Sequence, residues 1–149
     1  MLSRFLRAFE MEVSADNLLD KIKEEKDWHK SCIFTSKGDV IVDNDCELQQ
    51  EEIDFYISAY DDRDTTVGNG FFVNDVHFDV HRFHPPLIYG RRGGPEDGEG
   101  IALARIVPRS PKGDEEYWFL LITYLLPILS AKAVPQMVEF SNRYLGENK

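Results

Sequence analysis

The sequence predicts a mixed α/β chain of the α+β kind. A central antiparallel sheet carries the N- and C-terminal helices on one face, with a shorter helix elsewhere. Three observations predict it. Apolar residues recur at helical spacing near both ends of the chain. A run of short segments rich in β-formers, uninterrupted by helices, fills the middle. Compact turn signals separate those segments, which suits antiparallel neighbours.

Ser14 is placed to cap the first helix, with Asp16 in its first turn where a carboxylate suits the helix dipole. Ala15, Leu18, Leu19 and Ile22 form its apolar face. Trp28 falls far from that stripe, so the helix ends before it or Trp28 makes another contact. Ser31 to Asn44 reads as a hairpin. Cys32–Thr35 and Val40–Val42 are its strands, and Lys37-Gly38-Asp39 is its turn. Gln49 to Tyr60 reads as a helix with Ile53, Tyr56, Ile57 and Tyr60 on one face and Glu51 and Glu52 in the first turns. Asp61 to Asn69 reads as a polar, acidic loop.

Phe71–Val73 and Val76–Phe83 are strands about the two-residue turn Asn74-Asp75. Pro85-Pro86 halts pairing or marks a bend before the strand Leu87–Tyr89. Gly90 to Gly100 holds five glycines and a proline and reads as a loop. Ile101–Val107 and Tyr117–Tyr124 are two more strands. In the last helix Val134, Met137, Val138, Ser141, Tyr144 and Leu145 share a face, with Phe140 on its edge. Pro135 belongs in a first turn, so the regular helix is expected to start near Val134 and to stop at Gly146.

The chain of 149 residues suits one domain, taken as 14–149, preceded by an extension over 1–13. Leu2, Phe5, Leu6 and Phe9 of that extension lie at helical spacing around Arg4 and Arg7. It reads as a mobile arm. It lacks the long apolar stretch and small-residue site of a signal peptide. The apolar run from Phe119 to Leu129 is about half the length that a membrane helix needs. A net charge of -10 disfavours general nucleic-acid or anionic-membrane binding and favours partners with exposed basic surface. Two cysteines without a CxxC pair fit a reducing, cytoplasmic setting. Cys32 reads as a core residue and Cys46 as an exposed one.

His77, His81 and His84 invite a metal reading. On a strand, however, His77 and His81 share one face while His84 points the other way, so no ligand set forms. Gly90-Arg91-Arg92-Gly93-Gly94 lacks the GK[ST] of a phosphate loop and reads as a turn bearing an arginine pair. Such a pair suits carboxylates and phosphates through bidentate hydrogen bonds. The acidic run Glu96–Glu99 lacks EF-hand spacing and reads as solvated surface. With no GxSxG and no Cys/His pair in a catalytic setting, the chain does not read as an enzyme, and no cofactor is implied.

The ten residues Ile33–Val42, IFTSKGDVIV, resemble the first hairpin of profilins. Glu51-Glu52-Ile53 through Tyr60 resembles the helix that follows. Val80 through Gly93, with its IYGRRG, is similar to the profilin stretch ending in a basic turn. Gly100-Ile101, the strand Tyr117–Tyr124 and the last helix complete the register, so the resemblance spans residues 14–146. The N-terminal extension and the divergence from the family pattern resemble archaeal profilins of the Asgard type. The resemblance implies a cytoplasmic, cytoskeleton-associated regulator of actin polymerisation. Its partners would be monomeric actin, proline-rich segments and phosphoinositide headgroups. A ligand-sensing or scaffold domain of the PAS-like or longin/roadblock-like type is the alternative.

For the actin face the resemblance implies His77 and Arg82 on a central strand, and Tyr89 and Arg91 on the next, with Arg92 beside them. Tyr89 stands where the family often has arginine. Lys132 and Gln136 fall at the start of the last helix. Leu126 and Ile128 occupy positions that are usually polar or small, so this contact would be more apolar than usual. For the proline site it implies Leu18, Ile41, Phe140 and Tyr144. Leu18 and Ile41 replace aromatic residues, so a weak or rearranged site is expected, because extended proline helices dock on aromatic rings.

Overall fold

Ser14 does cap the first helix. Its Oγ accepts a hydrogen bond from the Asn17 amide at 3.3 Å, and α1 runs over Ala15–Lys23. The structure is a computed structural model and describes residues 14–149. The expected mobile arm lies outside the described residues.

The first hairpin comes next, with β1 over Lys30–Thr35 and β2 over Val40–Asn44. Gly38 sits in its turn at φ +89°, a conformation that glycine adopts without cost. The second helix, α2, spans Gln50–Ser58 and continues as a 3-10 turn over Ala59–Asp61.

The acidic loop expected at Asp61 to Asn69 is instead a short helix, α3, over Arg63–Asn69. Asp62 caps it, accepting from the Thr65 amide at 3.1 Å. The Thr66 hydroxyl is buried and donates to the Ala59 carbonyl at 2.6 Å. Without an apolar stripe, this helix announces itself only through its cap.

Strands β3 (Phe71–Val73) and β4 (Val76–His84) pair about the Asn74-Asp75 turn. Both turn residues have positive φ, which Asn and Asp tolerate. The Glu52 carboxylate clamps that turn to α2. It accepts from the amides of Gln49, Asn74 and Asp75 at 2.8–2.9 Å.

Strand β5 runs over Leu87–Arg92 and β6 over Glu99–Pro108. The glycine-rich loop is therefore shorter than the sequence suggests. Gly90 and Gly100 are strand residues, and each is glycine because no side chain fits. A Cβ at Gly90 would lie 1.8 Å from the Asp79 carbonyl oxygen. One at Gly100 would lie 2.1 Å from the Tyr124 ring.

Strand β7 spans Trp118–Leu125, and α4 spans Ser130–Tyr144. The helix starts four residues before the expected Val134, with Pro135 inside it. Proline forfeits one intrahelical hydrogen bond there. Burial of Ala133 and Met137 on the same helix offsets that loss. Phe140, expected at the edge of the apolar face, is at its centre and only 2% exposed. A final strand that the sequence does not signal, β8 over Gly146–Asn148, pairs with the end of β6.

The sheet order is β2-β1-β7-β6-β5-β4-β3, with β8 beside β6. The two-residue period of its strands divides the core in two. Trp118, Leu120, Ile122 and Tyr124 of β7 point to one face, where Leu18 and Ile22 of α1 and Met137 and Phe140 of α4 cover them. Phe119 and Leu121 point to the other, against Ile53 and Tyr56 of α2 and Ala59. Cys46, expected to be exposed, is buried in this second cluster with Cys32. Burial pushes both thiols up in pKa, so both are inert at neutral pH.

Candidate functional site

Helices α1 and α4 pack over one face of the sheet, and that face continues beyond them onto β5 and β4. There it carries polar residues. The β4–β5 register pairs Asp79 with Arg91, Arg82 with Tyr89 and His84 with Leu87. Tyr89 and Leu87 pack against the terminal-helix cluster, which fixes the side on which all six lie. Asp79, Arg82 and His84 are exposed, while Tyr89 and Arg91 are half-buried.

A break in register between Val80 and Arg82 makes this possible. It takes up one extra residue, as a bulge does, and resets the alternation of β4. Strict alternation puts His77 with His81. In the structure His77 lies on the side of Asp79, Arg82 and His84, and His81 occupies the break. His77 is held locally. Its Nε2 is 2.9 Å from the Asn69 carbonyl oxygen, and its ring lies 4.9 Å from that of Phe72. Among the described residues no group of His, Cys, Asp or Glu is arranged to hold a metal ion.

The expected arginine pair is split. Both residues belong to β5, so they point to opposite faces of the sheet. Arg92 leaves the site. Its Nε and Nη2 each lie 3.1 Å from Oε1 of the buried Glu99, and its guanidinium sits over the Phe78 ring. His29 Nδ1 approaches the other Glu99 oxygen at 2.7 Å. Burial pushes the Glu99 carboxyl up in pKa. The hydrogen bonds from His29, Thr123 and Arg92 outweigh it and hold the group below its ordinary range.

Arg91 stays on the site face and reaches toward the turn that leads into α4. Its Nη2 and the Leu126 Cδ1 lie 3.2 and 3.1 Å from where a Cβ would stand at Gly98. Beside it, the Tyr124 hydroxyl and Ser130 Oγ are 2.6 Å apart, tying β7 to the first residue of α4. Burial pushes the Tyr124 phenol up, against the pull of that bond and of the Arg91 charge.

The turn between β7 and α4 is apolar and in part exposed. Leu125 and Leu129 are 42% and 52% exposed, and Leu126 and Ile128 are half-buried between them. The sequence reading names Leu126 and Ile128 but not Leu125 and Leu129, although all belong to the run Leu125-Leu126-Pro127-Ile128-Leu129. Lys132 and Gln136 turn away from this surface. Lys132 Nζ and Gln136 Nε2 both reach Asp27 Oδ2, at 3.0 and 2.9 Å. The Gln136 bond and then the Lys132 bond hold the Asp27 carboxyl below its ordinary range.

The residues expected to take proline do not form one platform. Leu18 and Phe140 are buried, each 2% exposed. Phe140 is sandwiched between Trp28 and Tyr144, with ring centroids 5.3 and 4.9 Å away. Trp28 thus joins the core after α1 has ended. Tyr144 borders a cleft of about 270 Å³ with Glu25, Gln136, Glu139, Phe140 and Arg143. Ile41 lines a different cleft of about 400 Å³, beside Lys37, Val40, Lys112 and Glu115.

A family model described as Profilin matches residues 13–107, well over half of the chain. The chain belongs to the profilin family. Solved profilin structures share its fold. Acanthamoeba castellanii profilin IA matches with a TM-score of 0.67 at 16% identity, covering 87% of this chain and 91% of its own. A Schizosaccharomyces pombe profilin matches with a TM-score of 0.62 at 18% identity, covering 89% and 96%. Acanthamoeba castellanii profilin II matches with a TM-score of 0.64 at 14% identity, covering 88% and 93%. No curated protein sequence matches the chain. The PAS-like or longin/roadblock-like alternative gives way to the profilin architecture. At these identities the solved profilins establish the fold alone. No described helix of this profilin is long and apolar enough to cross a membrane.

Proposed function

We propose that this profilin binds an actin monomer and regulates its polymerisation, acting by binding and not by catalysis. One observation carries the reading. In a chain of net charge -10, the open face of β4 and β5 gathers Arg82 and Arg91 against a single carboxylate, Asp79, beside an exposed apolar turn. A cationic patch with apolar anchors fits a partner surface bearing carboxylates and an apolar slot. Arg82, Tyr89, Arg91 and His77 make the polar contact, and Leu126, Ile128 and Leu129 the apolar one. Lys132 and Gln136 act indirectly, by fixing the start of α4 against Asp27. Arg92 supports the strand from the other face.

Covering one end of the monomer blocks nucleation and pointed-end addition and leaves barbed-end delivery open. Preference for a more open actin would speed nucleotide exchange by population shift. The same cationic face suits phosphoinositide headgroups, which would then compete with actin. The cleft beside Tyr144 takes proline-rich segments weakly, because the rings behind it are buried. These activities place the protein in the cytoplasm, with the cytoskeleton.

Calorimetric titration with monomeric actin tests the reading. One-to-one saturable binding is expected. Joint replacement of Arg82→Glu and Arg91→Glu is expected to weaken it at least tenfold with the fold intact by circular dichroism. Absence of saturable binding by the unmodified protein ends the proposal.

A further inference from the structure

The cleft between the end of α1 and α4 contains two hydrogen-bond acceptors that nothing in the described residues satisfies. Glu25 is half-buried there. Among the described residues its carboxylate has neither an ion pair nor a hydrogen bond. The second acceptor is Oε1 of Gln136, which is buried without a partner among the described residues. Its orientation is fixed. Gln136 Nε2 donates to the Asp27 carboxylate at 2.9 Å, and a carboxylate has no proton to give back if the amide flips.

The other charges of the cleft are already engaged. Arg143 Nη2 pairs with Glu139 Oε1 at 2.9 Å, and the Arg143 guanidinium lies 5.9 Å from the Tyr144 ring centroid. Lys21 also stands 5.9 Å from that centroid and is 3.8 Å from Glu24. Burial, and next the neighbouring Glu139, push the Glu25 carboxyl up, against a weaker pull from the Arg143 charge. Phe140 and Tyr144 supply an apolar wall.

Two acceptors that no described residue serves call for a group that only donates. Guanidinium and ammonium are the donor-only side-chain groups that also carry the positive charge a carboxylate favours, and the guanidinium carries five donors in a planar fork. Its aliphatic stem suits the ring wall. We infer that this cleft selects an arginine side chain of a bound peptide, held by Glu25 and Gln136. The inference rests on the proposed proline-segment reading only for the frame of the peptide. It makes the groove selective for basic proline-rich segments over neutral ones.

The experiment titrates the full chain with three peptides, followed by calorimetry. They are decaproline, the same decamer with arginine at its fifth position, and the same with glutamate there. The arginine peptide is expected to bind about tenfold tighter than decaproline, and the glutamate peptide weakest. In Glu25→Gln the arginine advantage is expected to vanish. In Glu51→Gln, which removes the same charge from α2 on the other side of the sheet, it is expected to remain. That control separates the cleft from the attraction of a net-acidic chain. Decaproline binding without arginine preference overturns the inference and leaves the proline reading standing. So does a preference that survives in Glu25→Gln. Arginine-dependent binding with decaproline silent overturns the proline reading and supports the inference. Binding of no peptide overturns both.

Discussion

Arg91 and Arg92 are adjacent in sequence and have opposite consequences when removed. Arg92→Ala strips two contacts of 3.1 Å from a carboxylate that is 5% exposed. Hydrogen bonds to charged groups contribute about 1.5–3 kcal/mol. Arg92 is itself 37% exposed, so solvent screening reduces the loss to about 1–2 kcal/mol. Glu99 also keeps its bonds from His29 and Thr123. For a chain of this size that loss lowers Tm by about 3–8 °C. Arg91→Ala removes a guanidinium whose Nη2 is buried without a partner among the described residues. Its stability cost is expected to be smaller than that of Arg92→Ala, because no ion pair among the described residues is lost. For actin the order reverses. Arg91→Ala is expected to weaken binding about tenfold, or about 1.4 kcal/mol, and to reduce its salt dependence. Arg92→Ala is expected to leave the affinity of the folded protein within about twofold. Urea unfolding and calorimetric titration of both variants check this. Equal stability losses, or equal affinity losses, refute the division of the two arginines between faces.

Gly100→Ala places a methyl 2.1 Å from the Tyr124 ring and is expected to cost about 1–3 kcal/mol in urea unfolding. It should also loosen the start of α4, read as faster amide exchange at Ser130–Ala133. Glu52→Gln leaves one carbonyl oxygen where two carboxylate oxygens served three amides, so a loss of about 1–3 kcal/mol is expected by the same measurement. The Trp118 indole, and after it the amides of Lys112 and Gly113, hold Glu115 down to about 2 from an ordinary value of 4.5. A carboxyl depressed in the folded state stabilises above its unfolded value and loses that stabilisation as pH falls through its folded one. Glu115→Gln should therefore be less stable at neutral pH and should flatten the decline between about pH 5 and pH 2, followed by thermal melts.

Much of the fold was legible because periodicity follows directly from which side of an element is buried. The stripe of α1, the hairpin about Gly38 and the turn at Asn74-Asp75 needed no tertiary information. The failures have separate physical causes. Helix α3 has no apolar stripe, and only the Asp62 cap marks it. Gly90 and Gly100 carry the signature of a loop but answer a steric demand from Asp79 and Tyr124, which only the assembled sheet reveals. The break at His81 is invisible to a strict two-residue period, and every face assigned downstream of it on β4 inverts. Pro135 obeys the helix rule in isolation and loses to the burial of Ala133 and Met137. Strand β8 is three residues long and is recognised only through its pairing with β6. Of the candidate site, the residue types and their strands were readable. Which of two adjacent arginines stays on the open face of β4 and β5 was not, since that depends on where Glu99 is buried.

The split of the arginine pair also explains how an acidic protein presents a cationic face at all. Long-range attraction toward a basic partner is set by net charge, but contact is set by which charges are free at the surface. Glu99 lies beside Arg91 and Arg92 in the sheet and would neutralise whichever it reached. Strand alternation sends it to the side opposite Arg91, where Arg92 and His29 engage it. Arg91 and Arg82 then face Asp79 alone. Exchanging Arg91 and Gly90 in sequence would move the guanidinium to the Glu99 side and drive a side chain into the Asp79 carbonyl. The order Gly-Arg-Arg in β5 is therefore what makes one arginine structural and leaves the other on the face proposed to meet a partner.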